Sequence, residues 1–148
     1  MLSSPESFFL ETEHFFLRPW NSSDFPYFCR LEKNPQMMYF VNNGKPCSEK
    51  RILSFIPKQK KLFLKEGYCR WVLVEKIKRS FVGLCGVGEF DPPGFLEIGW
   101  WIAEKFWGQG YATEAVRYAL EHAFRKIRIT YLKSVADPGH KASIAVMH

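Results

Sequence analysis

The sequence predicts a mixed α/β domain, and three observations carry that expectation. Three strand-like runs, Arg70 to Glu75, Phe81 to Val87 and Phe95 to Ile102, follow one another with turn residues between them. Helical spacing of apolar residues flanks them, at Phe25, Phe28 and Leu31 before and from Ala112 to Ile127 after. The chain has 148 residues, 47% of them apolar and 17% aromatic, which suits one domain spanning 1–148 with a buried core.

The first strand is expected over Glu13 to Arg18, closed by Pro19, which cannot donate to a ladder. Ser22-Ser23-Asp24 opens a short helix, because small oxygen-bearing side chains accept from the free amides of a first turn. Asn34-Pro35 ends it. Met37 to Lys45 reads as a loop. Ser48 caps a second helix with Ile52, Ile56 and Phe63 roughly on one face, and Gly67 ends it. Pro57 lies inside this helix and is expected to kink or break it.

The charged turn Lys76 to Arg79 makes a hairpin of the next two strands, and Asp91-Pro92-Pro93-Gly94 turns the chain into the third. From Tyr111 the period becomes helical, with Ala112, Val116, Ala119, Leu120, Ala123 and Ile127 on one stripe and Glu121 paired with Arg125 on another. Tyr131 to Ala136 reads as a strand, Asp137-Pro138-Gly139 as a turn, and Lys141 to Met147 as the start of a helix. The order β-α-α-β-β-β-α-β-α excludes a helical bundle and an all-β barrel.

Basic residues number 21 against 15 acidic, a formal net charge of +6. This excess fits a solvated surface or a basic mouth for an anionic partner, and its spread along the chain speaks against a nucleic-acid footprint. Cys29, Cys47, Cys69 and Cys85 show no Cys-x-x-Cys spacing and no histidine at ligand distance in sequence, so no metal is expected and the thiols are expected free. The first residues lack a basic segment and a long apolar run, and no stretch is long enough to span a bilayer. The expectation is a cytoplasmic protein without a membrane partner.

Phe106-Trp107-Gly108-Gln109-Gly110-Tyr111-Ala112-Thr113-Glu114-Ala115 joins a strand to a helix through two glycines. Glycine lets the backbone turn sharply and approach a ligand closely. The helix behind offers unpaired amides and the positive end of its dipole, a fit for a diphosphate. The spacing alone leaves an ordinary helix entry equally open. Neither the dinucleotide fingerprint nor a Walker loop is present. A second glycine cluster, Gly83-Leu84-Cys85-Gly86-Val87-Gly88, sits in a strand pattern with no helix after it, and reads as a bulge or a close backbone contact. Cys85 has no base beside it in sequence and reads as a buried thiol; His14 and His122 read as structural.

The segment Trp107 to Ala112 resembles the Gln/Arg-x-x-Gly-x-Gly/Ala motif of the GNAT acetyltransferase superfamily. The run Glu97-Ile98-Gly99-Trp100-Trp101-Ile102 ahead of it is similar to the branch that holds the ribosomal-protein N-terminal acetyltransferases. Glu11 to Trp20, with Asp24, and Asp137 to Met147 also resemble that branch, so the likeness covers nearly the whole chain in order. Three positions depart from the pattern. Trp107 replaces the Gln or Arg, His140 stands where the branch has an Asn that contacts the cofactor arm, and Met147 where many members carry a catalytic Tyr. The resemblance implies a mixed central sheet flanked by helices. It also implies a chain truncated before its last strands. The closing helix is short and leaves Ile144 and Met147 with little cover, so either another chain supplies the missing edge, as in a homodimer, or the fold is expected to be only marginally stable.

The resemblance implies acetyl-CoA as acyl donor, its diphosphate on the amides of Trp107, Gly108, Gln109, Gly110, Tyr111 and Ala112. The pantetheine arm would lie along the backbones of Trp101, Ile102 and Ala103, with His140 near the arm. An amine attacks a thioester only when neutral; an α-amine with a pKa near 8 is partly so at physiological pH, a lysine near 10.4 is not. Glu97 is the candidate general base. Ser143 is a candidate for protonating the leaving thiolate or binding the donor. The acceptor is a protein N-terminus or a small amine, and the Met37-Met38-Tyr39-Phe40 loop is expected on its side. Two rivals are a non-catalytic acyl-CoA-binding relative and a basic RNA- or ribosome-binding module.

Overall fold

Strands that follow one another in this chain lie side by side. The computed structural model describes residues 10–38, 48–90, 95–128 and 132. In it β1 (Leu10–Glu11), β2 (Phe15–Arg18), β3 (Arg70–Glu75), β4 (Phe81–Phe90) and β5 (Phe95–Ile102) form a five-stranded sheet ordered β1-β2-β3-β4-β5. Every ladder among the described residues is antiparallel. β3 and β5 have the bounds their patterns predict, while β4 runs on past Val87 to Phe90. A register shift at Leu73/Val74 marks the irregularity that the glycines of β4 suggested. The turn at 91–94, the helix at 141–147 and all of the strand at 131–136 except Leu132 lie outside the described residues.

α1 (Phe25–Lys33) follows a 3-10 turn over Ser22–Asp24, and the cap is Asn21 rather than Ser22. The Asn21 side chain accepts from the Ser23 N–H at 3.0 Å, and the Asp24 carboxylate accepts from the Asn21 N–H at 3.0 Å. The same carboxylate takes two hydrogen bonds from the Arg18 guanidinium, at 2.7 and 2.8 Å, with both side chains buried. This bidentate pair ties the end of β2 to the start of α1; losing one partner would leave a buried charge, at about 3–5 kcal/mol. Pro35–Met38 forms a short helix, α2, where a loop was expected, and Met38 is fully buried.

α3 (Glu49–Glu66) is capped by the Ser48 hydroxyl, which accepts from the Arg51 N–H, and ended by Gly67 at φ +79°. The expected break at Pro57 does not occur: the helix runs through it. Pro57 removes the hydrogen bond to the Leu53 carbonyl, but both residues face solvent, Leu53 at 55% exposure, so water reaches the freed oxygen. Ile52, Phe55, Ile56 and Gln59 form the buried side.

The core lies on both faces of the sheet. Under α1 and α3, Trp20 meets Phe28 and Phe55 edge-on at 5.4 and 5.3 Å, and Phe28 stacks on Phe55 at 4.3 Å. α4 (Tyr111–Glu121) packs on β4 and β5 with Ala115, Val116 and Ala119 buried, and continues as a π-turn over His122–Lys126. Trp71, on the opposite face of β3 from Arg70, meets His122 and Phe63. The Glu121–Arg125 pair forms at 3.0 Å, as its spacing predicts. No helix among the described residues is long and apolar enough to cross a membrane.

Candidate active site

β5 delivers the chain to the glycine loop. The Ala103 N–H donates to the Val82 carbonyl at 2.7 Å, and a 3-10 turn over Glu104–Phe106 then bends the backbone away. Gly108 and Gly110 both adopt φ +76°, a left-handed conformation that a Cβ would strain. Gly110 caps α4 with no side-chain hydrogen bond to the first-turn amides. Among the described residues, a Cβ on either glycine would meet nothing within 4 Å. Gly108, Gln109 and Gly110 are exposed and Tyr111 and Ala112 half-buried. The loop is therefore solvent-exposed at a helix N-terminus, a setting that suits an anion.

Trp107 offers no cation. Its indole N–H donates to the Ile102 carbonyl at 2.6 Å, which fastens the loop to the end of β5. Because the Ala103 N–H points to β4, alternation turns the backbone of Trp101 toward β4 and that of Ile102 to the outer edge. So of the three backbones expected along a ligand arm, the structure puts Ile102 at the outer edge of the sheet that the described residues form and ties Ala103 into the sheet. His140 and Ser143 lie outside the described residues, as do Tyr39 and Phe40; Met38 sits in the core.

A strap that the sequence reading missed fixes the first turn of α4. The Glu114 carboxylate accepts from the Thr12 hydroxyl at 2.5 Å, the His14 backbone N–H at 2.8 Å and the His14 ring Nδ1 at 2.7 Å. A Glu13 carboxylate oxygen lies within 4.8 Å of a His14 ring nitrogen and a Glu114 carboxylate oxygen. Tyr111 packs edge-on against Phe15 at 4.7 Å beside this strap. Burial pushes the Glu114 carboxyl up, but hydrogen bonds from Thr12 and His14 outweigh it and hold the group below its ordinary value. The hydrogen bond to Glu114 raises the His14 imidazole. His14 thus has a partner, and only the distance in sequence hid it.

Glu97 sits on β5 with its carboxylate 2.6 Å from the Arg70 guanidinium, both side chains about one-fifth exposed (20% and 19%). Its surroundings are an ion pair rather than open solvent. Cys69 and Cys85 are buried and burial pushes both thiols well up, which fits inert packing residues rather than nucleophiles.

A family model for the GNAT acetyltransferase domain matches residues 14–148. The curated protein YkkB of Bacillus subtilis, which is uncharacterised, is 35% identical over 82 residues, 54% of this chain and 48% of its own length. The aligned stretch thus spans about half of that relative. An acetyltransferase from Agrobacterium tumefaciens superposes with a TM-score of 0.81 at 26% identity, over 93% of this chain and 78% of its own. RimL, a ribosomal-protein α-N-acetyltransferase solved with coenzyme A, superposes at 0.71 with 19% identity, over 91% and 77%; at that identity the likeness is one of fold alone. With a glycine nest at a helix start, an antiparallel sheet leading into it and a match over most of its length, the chain belongs to the GNAT acetyltransferase family.

Proposed function

We propose that this chain transfers an acetyl group from acetyl-CoA to a primary amine, by direct attack while donor and acceptor are bound side by side. The observation that carries this is the open nest, with Gly108 and Gly110 at φ +76° ahead of α4 and clear space where their Cβ atoms would be. The diphosphate is held by the amides from Trp107 to Ala112, Gln109 among them, and the arm follows the outer edge of β5 at Ile102, between Trp101 and Ala103. His140 and Ser143 complete the donor side. Acetyl-CoA supplies the activated acyl group; the chain positions the amine and takes its proton.

Glu97 is the proton acceptor, acting through water, with one carboxylate oxygen held by Arg70. Proximity supplies much of the remaining rate, since the two reactants are already oriented. The acceptor is a protein N-terminal α-amine, a reading supported by the likeness to RimL, with a small amine as the other choice. An α-amine also suits the chemistry, being partly neutral at physiological pH.

The test pairs calorimetry of acetyl-CoA binding with mass spectrometry of a peptide and polyamine panel. Micromolar binding with α-acetylation of peptides is the expected result. Binding without transfer to any amine would replace this reading with a non-catalytic acyl-CoA-binding one, and no binding would remove both.

A further inference from the structure

The sheet face beneath α1 and α3 carries a guanidinium laid across two glycines. Arg70 opposes Gly86 across β3 and β4, Gly86 opposes Gly99, and Gly88 opposes Glu97 across β4 and β5. Side chains directly opposite one another share a face, so all five positions lie on one. To reach Glu97 at 2.6 Å the Arg70 side chain must cross β4. A Cβ on Gly88 would stand 2.9 Å from Arg70 Cζ, and one on Gly99 would stand 3.3 Å from Arg70 Nε. Both are closer than packed atoms comfortably sit. These two glycines are thus a channel for a side chain.

The root of Arg70 is fixed as well. Its N–H donates to the Gln59 side-chain oxygen at 2.9 Å, and its carbonyl accepts from the Trp20 indole N–H. Gln59 and Trp20 are both buried. A residue held at its backbone from α3 and from the segment after β2, and confined along its length by β4 and β5, has little freedom at its tip.

We propose that Arg70 is a positioning residue for acetyl transfer, holding the Glu97 carboxylate in place through the channel that Gly88 and Gly99 leave open. This role rests on the acetyltransferase reading of Glu97. Burial pulls the Arg70 guanidinium below its ordinary value; Glu97 beside it pulls the other way, and Arg51 pulls it further down. It remains a cation throughout the working pH range. Among the described residues, Arg51 on α3 and Cys85 on β4 also act on the Arg70 charge, and Glu32 on α1 lies 3.5 Å from Arg51. On β4 the positions facing the pair are Gly86 and Gly88, which carry no charge.

The experiment compares Arg70→Met, Arg70→Lys and Gly88→Ala with the wild type. Gly88 has no left-handed φ, and its Cβ would press only on the movable end of Arg70, so this variant shifts the guanidinium without dismantling the fold. Two readouts are taken: kcat and KM for the amine at neutral pH, and the chemical shift and width of the Glu97 carboxyl ¹³C signal at that one pH, assigned with Glu97→Gln. In Arg70→Met the carboxyl signal should move and broaden as the group loses its holder, and kcat should fall about tenfold or more with KM nearly unchanged. Gly88→Ala should change both the same way by less, and Arg70→Lys should restore most of the signal and the rate. Calorimetric affinity for CoA should stay within about twofold. An unmoved carboxyl signal in folded Arg70→Met would overturn the proposal, as would a loss seen only in melting temperature. A moved signal in a protein that acetylates no amine would instead leave Arg70 as the holder of Glu97 and remove Glu97 as a base.

Discussion

The two glycine groups of this chain solve opposite problems with one residue. Gly108 and Gly110 need glycine for their φ of +76°, and a Cβ at either would touch nothing within 4 Å among the described residues. In the sheet the space is already taken. A Cβ on Gly83 would stand 1.9 Å from the Trp101 carbonyl oxygen, one on Gly86 2.1 Å from that of Cys69, and one on Gly88 2.9 Å from Arg70. The first group keeps room for something that arrives. The second is filled by the protein itself. Glycine-rich segments therefore separate by what occupies the missing side chain, which a sequence does not display.

Several changes would break or sharpen that contrast. The largest effect should come from Glu97→Gln, at the end of the channel the sheet glycines make. Turnover should fall by roughly 10²–10⁴-fold while CoA affinity stays near normal, and the loss should shrink as pH rises and more of the amine is neutral. Steady-state rates across pH, with calorimetry alongside, check this; wild-type turnover at neutral pH would take Glu97 out of the mechanism. Gly86→Ala comes next. Its Cβ would strike backbone in a conformation already left-handed, so the fold should lose more than about 3 kcal/mol, read as a collapse of the thermal transition.

Gly110→Val should act the other way round. With no atoms to strike, it carries only backbone strain of about 1–2 kcal/mol, and the protein should fold. CoA affinity should drop tenfold or more, about 1.4 kcal/mol, by titration calorimetry. Unchanged affinity in the folded variant would mean that the loop's openness serves no anion. The smallest effect belongs to the strap. The His14 imidazole is raised by Glu114, so its contribution to stability is complete below the ordinary value of 6.5 and is lost as pH rises through the higher folded value. For Glu114, lowered from 4.5, the contribution is present above that value and lost as pH falls through the lower one. NMR titration should place the His14 midpoint above 6.5, returning toward it in Glu114→Gln.

Much of the architecture was readable because its causes are local. Ser48 and Gly67 bracket α3, and Arg70 to Glu75 and Phe95 to Ile102 became strands with those bounds. The loop glycines were readable as a sharp entry to α4 because turn and helix start are adjacent in sequence, while the spacing alone assigned them no ligand. What escaped had non-local causes. β1 is two residues long and exists through its pairing with β2, and Pro57 is tolerated because its face of α3 is wet. The Arg70–Glu97 and His14–Glu114 pairs bridge 27 and 100 positions, and no spacing rule connects them.

The meander has a kinetic consequence. β3, β4 and β5 are joined by short connections, so their ladders can close early, at little loop entropy. β2 must enclose the whole of α1 to α3 before it meets β3, and the strap from Thr12 and His14 to α4 closes a longer loop still. Contacts that close the longest loops form late on such a route. Weakening the strap should then leave the refolding rate almost unchanged and appear as faster unfolding, which makes the β1–β2 corner the place where the native state begins to open.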